Sequence, residues 1–397
     1  MGEILITGGS GGGTGSDECT ATLDHVLAGE TAVTSDSNDE PGTGRMKVNS
    51  LLSFNVAAYS GRRVLAKWQN PKAAAGKPYS GVYIRYSTSG YPGKAGGMQI
   101  YKGAGNNTAS GAWSQQYLDM PNLNETYYFS IYPYVTCSAG ELTGEVINAI
   151  VRTAGSFIAT ITNTKNYTIP EGYTMADIFC VGGGGAGGNG YRYTSNAYQQ
   201  AGGGGGGGYT ATVYNIGVAA GQVLNCVVGA GGAPNGSLSG NGGTGGTTSV
   251  SRSGTVLCTA NGGHGGENAN GGNGGIGGSG GGSGGYNDLD TRPVIRAGEN
   301  GFSDGSGWSN RPGQGRTTRA FGEAGNTLYA GGGGGGGVTH GGPGAGGAGG
   351  GGAGSYDTGS PGSANTGGGG GGGGGDLYGT AEWGGTGGSG VILIRLK

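Results

Sequence analysis

Short apolar segments of strand length recur between residues 50 and 152, with turn-forming glycine, proline and asparagine residues between them. This spacing of segments and turns is typical of an all-β domain. The pattern predicts a β-sandwich for residues 50–152. Its predicted strands cover residues 64–68, 82–86, 98–101, 114–118, 126–135 and 145–151.

A second set of apolar segments follows residue 153, and here long glycine tracts stand between the segments. We expect these segments to form a jelly-roll-like sandwich, from which the glycine tracts leave as excursions between strands. The predicted fold class is therefore all-β, with a second sandwich inside residues 153–397. Its predicted strands lie near residues 157–181, 209–228, 247–259 and 391–396.

The glycine tracts have a period of three. From residue 262 onward, non-glycine residues recur every third position at His264, Glu267, Asn270, Asn273, Ile276 and Ser279. The pattern breaks at residues 268–269, and the frame slips near residue 283. Helices repeat at 3.6 residues and strands at 2, so the regular conformation that fits is the left-handed polyproline-II-like helix. Without Cβ atoms such chains can lie side by side and form lateral hydrogen bonds. We predict a bundle of polyglycine-II helices, with each third residue at the outer edge.

Two other structures compete with this prediction. A disordered glycine linker is favoured by composition alone, but these tracts are not diluted with serine and apolar segments flank them. Collagen needs glycine at every third position and abundant proline, whereas this chain has two glycines in each triplet and 12 prolines in all. The bundle is predicted to use the tracts at residues 182–190, 202–208, 241–246, 331–337, 341–354, 367–375 and 384–390.

The first 49 residues are expected to be a flexible lead followed by a short attachment repeat. Capping candidates and an apolar stripe predict a helix over residues 17–28, and the turn-rich residues 31–46 predict a hairpin. The beginning of the chain has neither the basic region nor the long apolar stretch of a signal peptide or membrane span. We therefore expect the protein to fold where it is made, without membrane insertion.

Composition narrows the function classes. Only 33% of the residues are hydrophobic and 107 are glycine, so ordinary cores are confined to part of the chain. The formal net charge of −2 and the absence of a basic tract argue against a nucleic-acid partner. The 5 cysteines are widely spaced and form no CxxC pair, which favours reduced and mostly buried thiols.

The sequence nominates no catalytic residue, metal ligand or cofactor. Matches to GxGxxG are frequent, but none follows a buried parallel strand and opens a helix, as a dinucleotide site requires. With 3 histidines, neither a catalytic triad nor a multi-histidine metal site is supported. Charged residues are too few to nominate the carboxylate pair of a glycosidase. We interpret the protein as non-enzymatic.

Aromatic residues and arginines concentrate in the connections between glycine tracts. Such connections bury little, so these side chains are expected either to cap the rods or to contact a ligand. Tyrosine, tryptophan and arginine dominate antibody-type binding loops, which favours ligand contact for the set as a whole. The predicted contact residues are Tyr191, Tyr193, Tyr198, Trp308, Arg311, Tyr329, Tyr356 and Trp383.

Three stretches resemble known families. The unit TATLDHVLAGETAV…GTGRM resembles a repeat of phage tail-fibre proteins. Residues 50–152 resemble a fibronectin type III module, which implies that Trp68 is its core tryptophan and Tyr127 its corner tyrosine. From residue 157 a strand, an IPEGY turn, a second strand and VGGGG resemble the glycine-rich domain at the ends of phage tail proteins.

This order of parts resembles a phage or prophage tail-fibre protein. The resemblance implies a virion component that is made in the bacterial cytoplasm and binds the surface of the bacterial host. The implied partners are a host glycan or surface protein and other tail proteins, with a homotrimer as a possible assembly. Two alternatives stay open. One is a purely structural tail component, and the other is a secreted bacterial glycine-rich surface protein.

Overall fold

The computed structural model describes residues 18–137, 140–191, 198–237, 240–269, 272–288, 294–375 and 382–397. The chain divides into two compact units, Met1–Ser156 and Phe157–Lys397. Nearly all regular structure in the described residues is antiparallel β, which confirms the predicted all-β sandwich class. The described helices are single 3₁₀ turns at Leu23–His25 and Ala320–Gly322.

The first unit begins with a hairpin, in which β1 (Thr31–Ala32) pairs with β2 (Gly42–Thr43). In place of the helix predicted over residues 17–28, the described part has only the 3₁₀ turn at Leu23–His25. Long-range bonds replace the helical ones there. The Leu23 amide donates to Asp36 Oδ1 at 2.8 Å, and the Leu23 carbonyl accepts from the Arg45 amide. These bonds hold the segment against the hairpin.

The rest of the first unit is a sandwich of two sheets. One sheet has the order β3-β4-β7, and the other has the order β10-β8-β5-β6 with β9 paired to β8. Trp68 and Tyr127 are completely buried between them. The Tyr127 hydroxyl accepts the backbone amide of Asn122 at 2.9 Å. The strands are β3 (Ser53–Ser60), β4 (Arg63–Gln69), β5 (Gly81–Ser87), β6 (Met98–Gly103), β7 (Trp113–Asp119), β8 (Thr126–Cys137), β9 (Gly140–Thr143) and β10 (Ile147–Arg152).

The second unit contains two four-stranded sheets, with the orders β11-β21-β13-β15 and β12-β16-β17-β18. Their facing sides form a core in which Cys180, Cys226 and Cys258 are buried free thiols. Burial raises the pKa of the Cys226 thiol to about 11. The strands are β11 (Phe157–Ile161), β12 (Lys165–Thr168), β13 (Met175–Val181), β15 (Thr210–Gly217), β16 (Val223–Val227), β17 (Thr248–Arg252), β18 (Thr255–Ala260) and β21 (Val391–Leu396).

The outer face of the first of these sheets has its own core. Phe179 packs against Phe321 and Tyr329, at ring-centroid distances of 5.9 and 5.5 Å. Beside them Asp177, which is fully buried, accepts hydrogen bonds from Arg395 at 2.8 and 3.0 Å. The connection that contains Phe321 and Tyr329 is thereby attached to the sandwich.

Glycine tracts extend from this sandwich as rods joined by lateral hydrogen bonds. The rod 202–208 shows the arrangement most clearly. The amides of Gly202, Gly205 and Gly208 donate to the carbonyls of residues 373, 370 and 367 of an antiparallel rod, at 2.7–2.9 Å. The amides of the residues between these three donate to rods 261–267 and 279–285. The carbonyls of rod 202–208 accept hydrogen bonds from three further rods. Those acceptor bonds come from rods 185–188, 275–278 and 333–336, so six rods surround this one.

Each face of the rod meets a different neighbour because a threefold helix turns its amides by 120° per residue. Hydrogen bonds between backbone groups therefore hold the predicted polyglycine-II bundle together. Its interior leaves room for very few side chains, such as those of Ala186 and Ser279. A Cβ on Gly205 would lie less than 3.0 Å from the carbonyl oxygen of Gly185, closer than real side chains approach, and the same holds along the rods.

The period-three residues follow the outer edge for the most part. His264 is exposed, and Glu267, Asn273 and Ile276 are half-buried while the glycines between them are largely buried. Glu267 Oε2 accepts from Asn273 Nδ2 at 2.7 Å, which links two adjacent rods. Ser279 is an exception, because it is fully buried and its Oγ accepts the Gly305 amide at 3.1 Å. Asn270 lies outside the described residues.

Candidate functional site

Consecutive rods run in opposite directions, so the connections between them lie at two opposite ends of the bundle. At the proximal end the rods join the sandwich. Here the Gly182 amide bonds to the carbonyl of Tyr209, next to β15. At the distal end the Ala201 amide bonds to the carbonyl of Gly285, and the Gly190 amide bonds to the carbonyl of Glu382. A connection between two rods therefore belongs to one end or to the other.

This division separates the predicted contact residues into two groups. Tyr191, Tyr198 and Tyr356 are exposed at the distal end, where Trp383 is half-buried. The proximal group belongs to the connection over residues 303–330 and consists of Trp308, Arg311 and Tyr329. Tyr193 lies outside the described residues. The structure thus brings four of the eight predicted residues to one end of the bundle.

A small sheet, which we call the distal sheet, organises this end. It has the order β14 (Tyr198–Gln200), β19 (Tyr286–Asp288) and β20 (Val294–Arg296), with antiparallel pairing throughout. The rings of Tyr198 and Tyr286 meet edge to face, with centroids 5.6 Å apart. Their hydroxyls donate to the side chains of Gln200 at 3.3 Å and Asp288 at 3.0 Å.

Strand alternation places Tyr198, Gln200, Tyr286 and Asp288 on one face of the distal sheet. The other face is buried against the connection over residues 338–341. Gln199 Oε1 accepts the Thr339 amide at 3.0 Å, and Gln199 is fully buried. This attachment holds the tyrosine face in one orientation, with aromatic rings, amides and a carboxylate side by side.

Asn189 joins its own segment to two other distal segments. It is fully buried, and its Nδ2 donates to the carbonyls of Asn235 at 2.9 Å and Ser237 at 2.7 Å. Its Oδ1 accepts the Gly384 amide at 2.9 Å. The side chain thus provides, at the end of a rod, the bonds that a neighbouring glycine rod provides elsewhere. The distal connections are fixed to the lattice by such bonds.

The three proximal residues have different surroundings. Arg311 is only 5% exposed, and its guanidinium donates to Ser283 Oγ and to a carboxylate oxygen of Glu299. Tyr329 belongs to the core around Phe179, and burial raises the pKa of its hydroxyl. Trp308 is 56% exposed, with its ring edge to face on Phe302 at 5.8 Å. Arg311 and Tyr329 therefore hold the proximal connection in place.

The sequence pattern did not select three neighbours of Tyr198, namely Gln200, Tyr286 and Asp288. Tyr286 is one of the connection aromatics, but its closeness to Tyr198 arises only from the pairing of β14 with β19. The two residues are 88 positions apart by number, and no sequence period relates them. The sequence pattern did not show that these two strands pair across the long segment between them.

Among the described residues, no cluster of three or more histidine, cysteine or acidic side chains is placed to hold a metal ion. In the same part of the chain, no helix is long and apolar enough to cross a membrane.

Residues 159–397 match the family described as glycine-rich domain. The match covers more than half of the chain, and the chain belongs to this family. The matched residues of this chain include the sandwich of the second unit, the rods and the distal sheet. No curated protein matches the chain in sequence.

Proposed function

We propose that the protein is the receptor-binding tip of a phage or prophage tail fibre, and that it binds the host cell surface without enzymatic activity. The observation that carries the proposal is the gathering of Tyr191, Tyr198, Tyr356 and Trp383 at the distal end. Aromatic rings beside amide and carboxyl groups suit a cell-surface glycan or a loop of a surface protein.

The rods supply the mechanical basis of this function. A loop held at the end of a hydrogen-bonded lattice loses little conformational freedom when it binds, which favours affinity. The lattice itself contains almost no side chains, so changes in a distal connection leave its bonds intact. Variation in these connections would then change the host range of the phage.

The other parts of the chain have supporting roles in this proposal. Residues 1–49 attach the protein to other tail proteins, and residues 50–152 are a fibronectin-type-III-like spacer. The packing of a three-stranded sheet on a five-stranded one, the buried Trp68 and the bond from the Asn122 amide to the Tyr127 hydroxyl support that assignment. The protein is then part of the virion, and a trimer is the assembly that we propose to test first.

The test is binding of the labelled full-length protein to a panel of gut bacterial strains. Tyr198→Ala and Tyr356→Ala are expected to weaken binding to a recognised strain by about tenfold or more, the range of true contact residues. Trp308→Ala is the matched control, since it removes an aromatic ring that is also exposed, but at the opposite end. Melting curves of all three variants should match that of the wild type.

Two results would contradict the proposal. If Trp308→Ala weakens binding and the distal substitutions do not, recognition occurs at the proximal end. If the distal substitutions lower the melting temperature and spare binding, the tyrosines are caps of the rods. Neighbouring genes for tail, baseplate and lysis proteins are expected, and their absence would favour a bacterial surface protein.

A further inference from the structure

The first unit has an exposed aromatic surface that is separate from the distal end of the second. The sheet β3-β4-β7 buries Trp68, Val64 and Leu118 on its inner face. Its outer face, here called the platform, carries Trp113, Tyr117 and Tyr59, which are 51%, 40% and 53% exposed. A sandwich strand normally shows polar residues to water, so three exposed rings on one sheet require an explanation.

A cleft opens at the Trp113 end of the platform. It has a volume of about 520 Å³ and is lined by Lys67, Asn106, Trp113, Ser114 and Gln115. The Asn106 side chain is fixed there, because its Oδ1 accepts the backbone amide of Gln115 at 2.8 Å. Since the Oδ1 is engaged by the strand, the Asn106 amide nitrogen is the group available to a ligand. The cleft thus combines an aromatic face, two amides and an ammonium group.

The platform continues from the cleft along β7. Tyr117 lies four residues beyond Trp113 on the same face, roughly 13 Å away at about 3.3 Å per residue. Its ring packs edge to face on Tyr59, with a centroid distance of 4.8 Å. Gln115 lies between the two aromatic positions. Alternating aromatic and amide side chains therefore form a line that is long enough for an extended ligand.

Charge on the platform is uneven. At the Tyr117 end, Arg63 forms a two-point pair with Asp119, at 2.7 and 2.8 Å, which neutralises both. At the cleft end, Lys67 forms no ion pair within the described part of the chain. Lys67 is thus an uncompensated positive charge beside Trp113, Asn106 and Gln115. A ligand with a negative group at that position would be electrostatically complementary.

We propose that the platform binds an extended acidic oligosaccharide that lies along β7, with a carboxylate-bearing sugar in the cleft. Trp113 and Tyr117 would pack against the apolar faces of sugar rings, and Gln115 and Asn106 would hydrogen-bond their hydroxyls. Lys67 would contact the carboxylate. A peptide that added to the sheet would pair with the backbone edge of β3 or β7, whereas the aromatic groups lie on the face of the sheet.

This site goes beyond the function proposed for the distal end and does not depend on it. The two surfaces belong to different units, and each is built from its own residues. A saccharide bound along β7 would give the protein a second contact with a carbohydrate-coated cell. Two linked weak sites raise the overall affinity when both can be occupied together.

The experiment titrates the full-length protein with two defined probes by isothermal calorimetry. The acidic probe is a hexamer of galacturonic acid, and the neutral probe is a hexamer of N-acetylglucosamine. We expect the acidic probe to bind more tightly. Trp113→Ala should weaken binding of the acidic probe at least tenfold, and Trp113→Phe should restore most of that binding. Lys67→Gln should bind the acidic probe no more tightly than the neutral probe.

Tyr91→Ala is the control, since Tyr91 is equally exposed (51%) and lies outside β3, β4 and β7. Its binding should equal that of the wild type. The proposal is overturned if neither probe binds, or if Trp113→Ala binds as well as Tyr91→Ala. It is also overturned if sedimentation shows that Trp113→Ala dissociates a dimer, since the platform would then be an interface between copies. Loss of binding by Tyr198→Ala alone would assign the saccharide to the distal end.

Discussion

The backbone amide of Gly205 donates to the carbonyl oxygen of Gly370 at 2.8 Å, and the two residues belong to rods that run in opposite directions. Such bonds, repeated at every third residue, replace the side-chain core of an ordinary domain. Ordering the backbone costs roughly 1–2 kcal/mol of conformational entropy per residue, and in an isolated pair of rods only every third amide donates to the partner. An isolated pair of rods would therefore not persist, and six neighbours around one rod provide bonds to all of its faces.

The first prediction concerns space inside the lattice. Gly205→Ala would place a methyl group against the Gly185 carbonyl, and rigid backbone surrounds it. We expect a loss of about 3 kcal/mol or more, at the upper end of the cost of overpacking, measured by denaturant unfolding. Gly325→Ala is the matched control, because nothing lies within 4 Å of the added carbon. Equal stability of the two variants would contradict a packed lattice.

The second prediction concerns hydrogen exchange. The amides of residues 202–208 all donate to carbonyls of other rods, so they are expected to exchange far more slowly than the same peptide in denaturant. Mass spectrometry after exchange and proteolysis measures this directly. Exchange of these amides at the rate of an unfolded chain would rule out the lateral bonds.

The third prediction concerns pH. Burial by itself raises the pKa of Asp177, but hydrogen bonds from Lys397, the Asn215 amide and Arg395 outweigh it and hold the pKa below its ordinary value of 3.8. The carboxylate therefore stabilises the fold above pH 3.8. This contribution is lost as the pH falls through the lower, folded-state pKa.

Asp177→Asn is accordingly expected to lower the unfolding free energy of the second unit by roughly 3 kcal/mol at pH 7, as when a buried pair loses one partner. The difference from the wild type should shrink in denaturation curves as the pH falls below about 4, and it should vanish once the folded-state carboxyl is also protonated. Asp119→Asn, whose side chain is 59% exposed, should cost less than about 1 kcal/mol. A pH-independent difference for Asp177→Asn would disprove the electrostatic explanation.

The fourth prediction separates structure from recognition at Arg311. Arg311→Ala removes the guanidinium that Glu299 and Ser283 share, and we expect a loss of about 1–2 kcal/mol because Glu299 remains partly solvated. Binding to host cells should be unchanged once the variant is folded. Arg45→Ala, in an exposed pair at 4.0 Å, provides the stability control. Reduced binding with unchanged stability would restore Arg311 as a contact residue.

The fifth prediction concerns the first unit. Tyr127→Phe removes the acceptor of the Asn122 amide and leaves that donor without its partner. The expected loss is about 1–3 kcal/mol in the unfolding free energy of this unit. Tyr59→Phe, at an exposed ring, should be neutral in the same measurement. If both variants are equally stable, the corner bond does not contribute.

The sequence by itself determined the local structure of this protein. A period of three with glycine at two of three positions allows one regular conformation, because short-range sterics decide it. Strand-length apolar segments likewise predicted both sandwiches, since burial of apolar surface depends on composition and spacing. The burial of Trp68 was implied by the resemblance of residues 50–152 to a fibronectin type III module.

Tertiary structure alone decided which residues meet at each end of the bundle. The rods pack through donors and acceptors that lie far apart in the chain. Their packing order places Tyr198 and Trp308 at opposite ends of the bundle and brings the ring of Tyr198 against that of Tyr286. The same long-range bonding buried Ser279 and Arg311, and replaced the predicted helix by the turn at Leu23–His25. Glycine rods are locally interchangeable, so no local pattern specifies their neighbours, and only the complete set of lateral bonds does.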